Sequence, residues 1–202
     1  MQTKADPPAR LLDGRTASPF IRAYFEINQL KLLYRQGWLK RGLPIERCES
    51  VAEHTFSMAV LAMLLADANF PDLDVHRILR LALIHDIGEI HAGDITPADA
   101  VDAIEKHRLE HESVRQVLGM LPNGAEYVAL WQEYEDGSTA EARFVKQIDR
   151  LEMGLQAGVY QMQGIVDGAE FLNSAEQALI APELKNLFQE LSALLAAQPN
   201  QM

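Results

Sequence analysis

Cysteine is almost missing from this sequence: the 202 residues include one, Cys48. That excludes an internal disulfide and a zinc ribbon, which needs several thiolates, and it fits a reducing compartment. Basic residues are outnumbered, with 18 Lys and Arg against 29 Asp and Glu, for a formal net charge of −11. A chain of that sign repels a phosphodiester backbone, so no nucleic-acid polymer is expected as a partner. A small phosphate substrate stays open, because a metal or a few arginines reverse the field locally. No apolar run approaches the roughly 20 residues that span a bilayer, so no membrane partner is expected. Segment 1–18 lacks the apolar stretch of a secretory leader and reads as a flexible tail. Together these absences predict a cytoplasmic protein.

What the sequence does have is helical periodicity and enough apolar residues, 48%, for a real core. Few segments alternate as half-buried strands do. The expected fold is all-α: a compact single-domain helical bundle over 19–202, following the tail 1–18. A first helix is predicted from about Ser18 to Gln36, with Phe20, Tyr24, Ile27 and Leu30 or Lys31 along one face. Residues 37–49 read as a loop. Ser50-Val51-Ala52-Glu53 fits a capping box for a helix reaching about Ala68. Asp72 or Asp74 caps the next helix, which places His85 and Glu89 on one column with Asp86 beside it. Further helices are predicted over about 98–121, through Trp131, over 139–163 and over 182–197. In the last, Leu184, Leu187 and Leu191 make the apolar stripe, expected to pack on the domain itself.

Four residues stand out chemically: His54, the adjacent His85 and Asp86, and Asp149. Each lies in an apolar helical context, where burying a carboxylate is costly unless a cation or hydrogen-bond donors compensate. Taken singly, each reads as an ordinary buried polar residue with an ordinary partner. Together, two imidazoles and two carboxylates form a mixed N/O set. Such a set suits a divalent transition metal better than calcium and leaves coordination positions open.

The order His … His-Asp … Asp on helices resembles the HD superfamily of metal-dependent phosphohydrolases. Glu49-Ser50-Val51-Ala52-Glu53-His54 is similar to the first-histidine motif of its 5′-deoxynucleotidase branch. The run from His85-Asp86 through Glu89, Gly93-Asp94 and Pro97 is similar to the central motif, and Phe144 to Asp149 to the last. The resemblance covers about residues 20–165. It implies a helical bundle with a divalent metal cofactor (Mn, Co, Fe, Ni, Zn or Mg) on residues matching His54, His85, Asp86 and Asp149. It also implies hydrolysis of nucleoside 5′-monophosphates to nucleoside and phosphate, commonly in a homodimer. The matching Glu89 and Asp94 become the candidate catalytic residues. Both, with the Ile95 backbone, are candidates for holding additional cations.

A phosphomonoester dianion also needs fixed positive groups. Arg35 and Arg41 are the leading candidates, the spacing of the loop leaving open which of them matches. Trp38 is a candidate stacking surface for a base or sugar, and Lys146 can approach the phosphate. His107 and His111, four apart, have metal-binding spacing, but their densely charged surroundings read as a solvated face. The reading is therefore an enzyme, a metal-dependent phosphohydrolase of (deoxy)ribonucleoside 5′-monophosphates. Its alternatives are another HD hydrolase, acting on a cyclic dinucleotide, a nucleoside triphosphate or an alarmone, and a non-catalytic metal- or nucleotide-binding protein.

Overall fold

Helices α1 (Pro19–Ile27), α2 (Gln29–Leu32), α3 (Gln36–Lys40), α4 (Val51–Asn69), α5 (Val75–Ile84) and α6 (Glu89–Ala92) build the first half of the chain. The second half is α7 (Ala103–Leu118), α8 (Gly124–Asp136), α9 (Ala140–Met162), α10 (Ala169–Ala178) and α11 (Pro182–Ala196). These come from a computed structural model that describes residues 1–197, so the last residues of the domain assigned to 19–202 lie outside it. Among the described residues there is no sheet, just isolated bridges at Thr3–Leu33 and Tyr34–Ser50.

The longest helix, α9, is the axis of the bundle, and α4, α5, α8, α10 and α11 all pack on it. Its stripe of Phe144, Val145, Ile148 and Leu151 is buried, as the periodicity requires. Gly158 on α9 lets α11 approach closely: a Cβ there would lie 2.6 Å from a methyl carbon of Leu191. Leu184 and Leu191 are buried on the domain, while Leu194 is exposed.

α4 opens with the capping box read from sequence. Ser50 Oγ accepts from the Glu53 N–H, and Glu53 Oε2 accepts from the Ser50 N–H at 2.6 Å. A cap of this kind stabilises a helix by about 1 kcal/mol. By length and composition α4 is apolar enough to cross a membrane, which the run-by-run reading did not expect. Its buried face, however, carries His54 and Thr55 beside Val51, Met58 and Ala62, and it packs against α2, α5 and α9.

The predicted helix 18–36 is broken. It stops at Asn28, whose Nδ2 donates to the Tyr24 carbonyl at 2.6 Å, and the chain is extended by Leu33, where the two bridges demand it. On the predicted face Phe20 and Tyr24 are exposed while Leu30 is buried, and Leu33, off that face, is buried as well. The 37–49 loop contains part of the short α3 and a 3₁₀ turn, Ile45–Arg47. The helix predicted from 98 begins only at Ala103, capped by Asp102. α10 was not anticipated. Residues 1–5, read as part of a flexible tail, run against the domain: the Lys4 N–H donates to the Leu32 carbonyl at 2.7 Å.

Candidate active site

His54 enters the site from the first turn of α4, Asp149 and Glu152 from the middle of α9, and His85 from the end of α5. His54 Nε2 lies 3.2 Å from Asp149 Oδ1, and one oxygen or ring nitrogen from each of His54, His85 and Asp149 falls within 4.8 Å of the others. Asp86 stands beside them, its Oδ2 3.1 Å from His85 Nε2 and 3.8 Å from His54 Nε2.

His85 and Glu89 do not share one regular helix as predicted. α5 ends at Ile84, and the chain tightens into i→i+3 bonds: the Glu89 N–H donates to the Asp86 carbonyl at 3.0 Å. The carbonyl of His85, which an α-helix would have given to Glu89, accepts instead from the indole Nε1 of buried Trp131 at 3.1 Å. The tightened turn still delivers both side chains to one cleft, where His85 and Glu89 are each 5% exposed.

The tautomers of both histidines follow from their partners. His54 Nδ1 is 2.6 Å from Glu152 Oε2, and His85 Nδ1 is 2.7 Å from the Ala82 carbonyl. Each neutral ring donates through Nδ1, which leaves a lone pair on Nε2. Both Nε2 atoms are buried without a hydrogen-bond partner, and each faces a carboxylate. Lone pair against carboxylate is repulsive unless a proton or a metal cation stands between them. Asp86 Oδ2 and Glu89 Oε2 are likewise buried and unpartnered. The donor set therefore fits a divalent cation.

The electrostatics mark the same spot as one that draws in positive charge, a proton on His54 where no metal is bound. From protein groups alone, burial and Arg35 would push the His54 imidazole down, but Asp149 and Glu152 outweigh them and lift it to about 10. Burial would raise Asp86, yet His85, His54 and Arg35 hold it at about 2. Asp149, against the same desolvation, is held far below the usual carboxylate range by His54 and His85. Glu89 moves the other way: burial, then the charges of Asp86 and Asp94, raise it well above an ordinary carboxylate.

The other candidates divide clearly. Arg35 lies inside the site, its Nη1 3.8 Å from Asp94 Oδ1 and 3.9 Å from Asp86 Oδ2. Arg41 is on the rim, its Nε and Nη2 donating to the two carboxylate oxygens of Glu170. Asp94 follows Gly93 at the exit of α6 and accepts from the Gln36 N–H at 2.5 Å. Ile95 lines the cleft beside it. Lys146 lies over the Tyr134 ring, 4.5 Å from its centroid. Trp38 lines the cleft but is 2% exposed, with Phe171 3.9 Å away between ring centroids and its Nε1 donating to Glu49 Oε1 at 2.8 Å. His107 reaches the cleft wall by stacking on Trp131, centroids 5.3 Å apart, and His111 lines a different hollow. Neither joins the His54, His85 and Asp149 cluster.

The cleft has a volume of about 560 Å³. A hollow of similar volume between α7 and α8 carries one histidine and one arginine but no acid, so the chemistry belongs to the first. Glu152, which backs His54 from outside the cleft lining, and several lining residues are not among the sequence candidates. Glu152 is one turn beyond Asp149, a spacing that alone would have flagged it. Lys106, Glu110, Phe171 and Ser174 also line the cleft or its rim. The last two sit on α10, whose buried or partly buried Leu172 and Ala175 and buried Leu179 carry a readable helical period.

Comparison with known proteins converges on one family. Residues 27–191 match the HD domain. The 5′-deoxynucleotidase HDDC2 of Bos taurus is 40% identical over 190 residues, spanning 92% of this chain and 90% of the relative. Its Homo sapiens counterpart is 42% identical over 184 residues, spanning 89% of this chain and 86% of the relative. Among solved structures, a predicted metal-dependent phosphohydrolase from Magnetospirillum magnetotacticum superposes with a TM-score of 0.65 at 31% identity, covering 96% of each chain. The Pyrococcus horikoshii protein PH0347 superposes with a TM-score of 0.71 at 28% identity, covering 86% of this chain and 99% of its own. A match over most of the chain, and relatives at 40% identity along nearly their whole length, establish that this chain belongs to the HD-domain family.

Proposed function

We infer that the chain is a metal-dependent phosphohydrolase that cleaves nucleoside 5′-monophosphates, deoxyribonucleotides among them, to nucleoside and phosphate. One observation carries the reading: two buried imidazole Nε2 atoms without a hydrogen-bond partner, each facing a carboxylate, at a cleft that a partly buried arginine lines. His54, His85 and Asp149, with Asp86 alongside, would hold the cation. When bound, it would polarise a phosphoryl oxygen and lower the pKa of water.

The protein's own groups supply the rest. Arg35, fixed between Asp86 and Asp94, is placed to meet the phosphate dianion. Glu89 projects an unpartnered Oε2 and lines the cleft, where a carboxylate can take a proton from water. Asp94 shares Arg35 with Asp86 and faces the same cleft. Phe171, held against Trp38, gives the cleft an aromatic wall on the side where a nucleoside would lie. Lys146 and Arg41 stand farther out and serve the phosphate's approach. The names of the HDDC2 relatives point to the deoxyribonucleotide substrate. The reading also includes a cytoplasmic homodimer that binds neither nucleic-acid polymer nor membrane. Its domain runs from 19 onward after the 1–18 segment.

The test is phosphate release from chelator-stripped protein over a panel of deoxyribo- and ribonucleoside 5′-monophosphates, with Mn, Co, Mg or Zn restored singly. Metal-restored release from the deoxyribonucleotides is the expected result. No release with any metal, from a protein that still binds one tightly, would overturn it.

A further inference from the structure

The segment Met1–Lys4 is exposed, yet it touches the Arg35–Gln36 turn, the Gly93–Asp94 loop and the first turn of α4, each of which carries a site residue. The carboxamide of Gln36 grips the Gln2 peptide from both sides: Oε1 accepts from the Gln2 N–H at 2.8 Å, and Nε2 donates to the Gln2 carbonyl at 2.9 Å. Nε2 also donates to the Tyr34 carbonyl at 2.7 Å. Gln36 is 4% exposed, so these bonds are the ones that satisfy its buried amide. Its own backbone N–H then donates to Asp94 Oδ2.

The other contacts of the segment point to the same place. The Met1 side chain covers Gly93, the residue before Asp94. Gly93 has φ of +83°, and a Cβ there would lie 2.1 Å from Met1 Sδ. Thr3 bridges Leu33, and the Lys4 N–H bonds the Leu32 carbonyl. Lys4 Nζ lies 3.6 Å from Glu53 Oε2, the capping-box acid next to His54.

We propose that residues 1–4 form a strap that acts through Gln36: the clamp on Gln2 fixes the Arg35–Gln36 turn, and the Gln36 N–H fixes the Asp94 carboxylate against Arg35. Gln36 is a positioning residue, since its side chain points to the strap and not to the substrate cleft. This rests on the reading that Asp94 serves the reaction. A backbone donor holds one carboxylate oxygen in a set direction, and misplacement of about 1 Å at such a group costs on the order of a hundredfold in rate.

Two full-length variants test it. Gln36→Met keeps the side-chain length and the N–H to Asp94 but removes the clamp. Gln2→Pro combined with Lys4→Pro removes two N–H donors from the strap itself, in exposed sequence where folding is not at stake. Each is made alone and in an Asp94→Asn background. The strap predicts a fall in kcat of about tenfold or more with KM nearly unchanged, and no further fall in the Asp94→Asn background. In metal-stripped protein, hydrogen exchange at residues 35–37 and 93–95 should quicken at least tenfold while α9 stays protected. Additive losses in the double variants, unchanged kcat in both strap variants beside an impaired Asp94→Asn, or unchanged exchange at Gln36 would each overturn the strap alone. Full turnover in Asp94→Asn would overturn the role of Asp94, and the strap with it.

Discussion

Glu152 reaches back one helical turn along α9 from Asp149 to lie 2.6 Å from His54 Nδ1, in a pair that is buried on both sides. The contact fixes which nitrogen of His54 faces Asp149. Carboxylates in this position raise ligand basicity and hold the ring, and their loss typically lowers metal affinity 10- to 100-fold. Glu152→Ala should weaken divalent-cation binding by about that factor, with Glu152→Gln intermediate because an amide oxygen still accepts from Nδ1. Competition against a chromogenic chelator measures it. Unchanged affinity in Glu152→Ala would show that His54 is oriented by packing alone.

Glu89 separates binding from turnover. It is outside the His54, His85 and Asp149 cluster, and its Oε2 is buried without a partner. Glu89→Gln should bind the cation within a few-fold of the parent affinity and lose about 10²- to 10⁴-fold in kcat. Parent-like phosphate release in this variant would remove Glu89 from the chemistry.

Trp38 belongs to the wall as a structural member. Its Nε1 is the donor to Glu49, whose carboxyl is raised by burial and by the charge of Glu152. Trp38→Phe keeps an aromatic against Phe171 but strands a buried acceptor, which costs about 1–3 kcal/mol. Denaturant unfolding should show a midpoint shift of that size. A substitution that left stability intact while raising KM would instead make Trp38 a substrate contact.

Glu110 confers a pH dependence on the fold. Burial raises its carboxyl, Lys106 at 3.5 Å offsets part of that, and the charge of Glu135 adds to it, leaving it at about 7. The folded pKa lies above the unfolded value of about 4.3, so the folded state holds the proton longer. Its stability contribution is present below about pH 4 and is lost as pH rises through 7, to the extent of about 4 kcal/mol at most. Glu110→Gln should flatten the fall in stability of chelator-stripped protein between pH 5 and pH 8. Parallel curves for parent and variant would contradict it.

Much of the site was legible because each ligand sits in a strong helical pattern. His54 follows a capping box that forms as read, and Asp149 lies on the longest regular stripe in the chain. The failures came where tertiary contacts override the local pattern. Periodicity cannot show that Trp131 takes the His85 carbonyl and so ends α5 early, or that bridges to Thr3 and Ser50 hold Leu33 and Tyr34 out of a helix. Nor does charge content reveal that Arg35 is held between two acids while Arg41 is spent on Glu170. Glu152 and Phe171 were within reach: one needed the i+3 rule applied to Asp149, the other a helical reading of 169–178.

The central claim is that His54, His85 and Asp149 hold a cation on which turnover depends. The most direct measurement titrates a divalent metal into chelator-stripped protein by calorimetry and follows phosphate release from a deoxyribonucleoside 5′-monophosphate at each point, for the parent and for Asp149→Ala. The account predicts that release rises in step with metal occupancy in the parent, and that Asp149→Ala loses both tight binding and release at matched metal. Release from the stripped parent without added metal, or parent-like binding and turnover in Asp149→Ala, would contradict it.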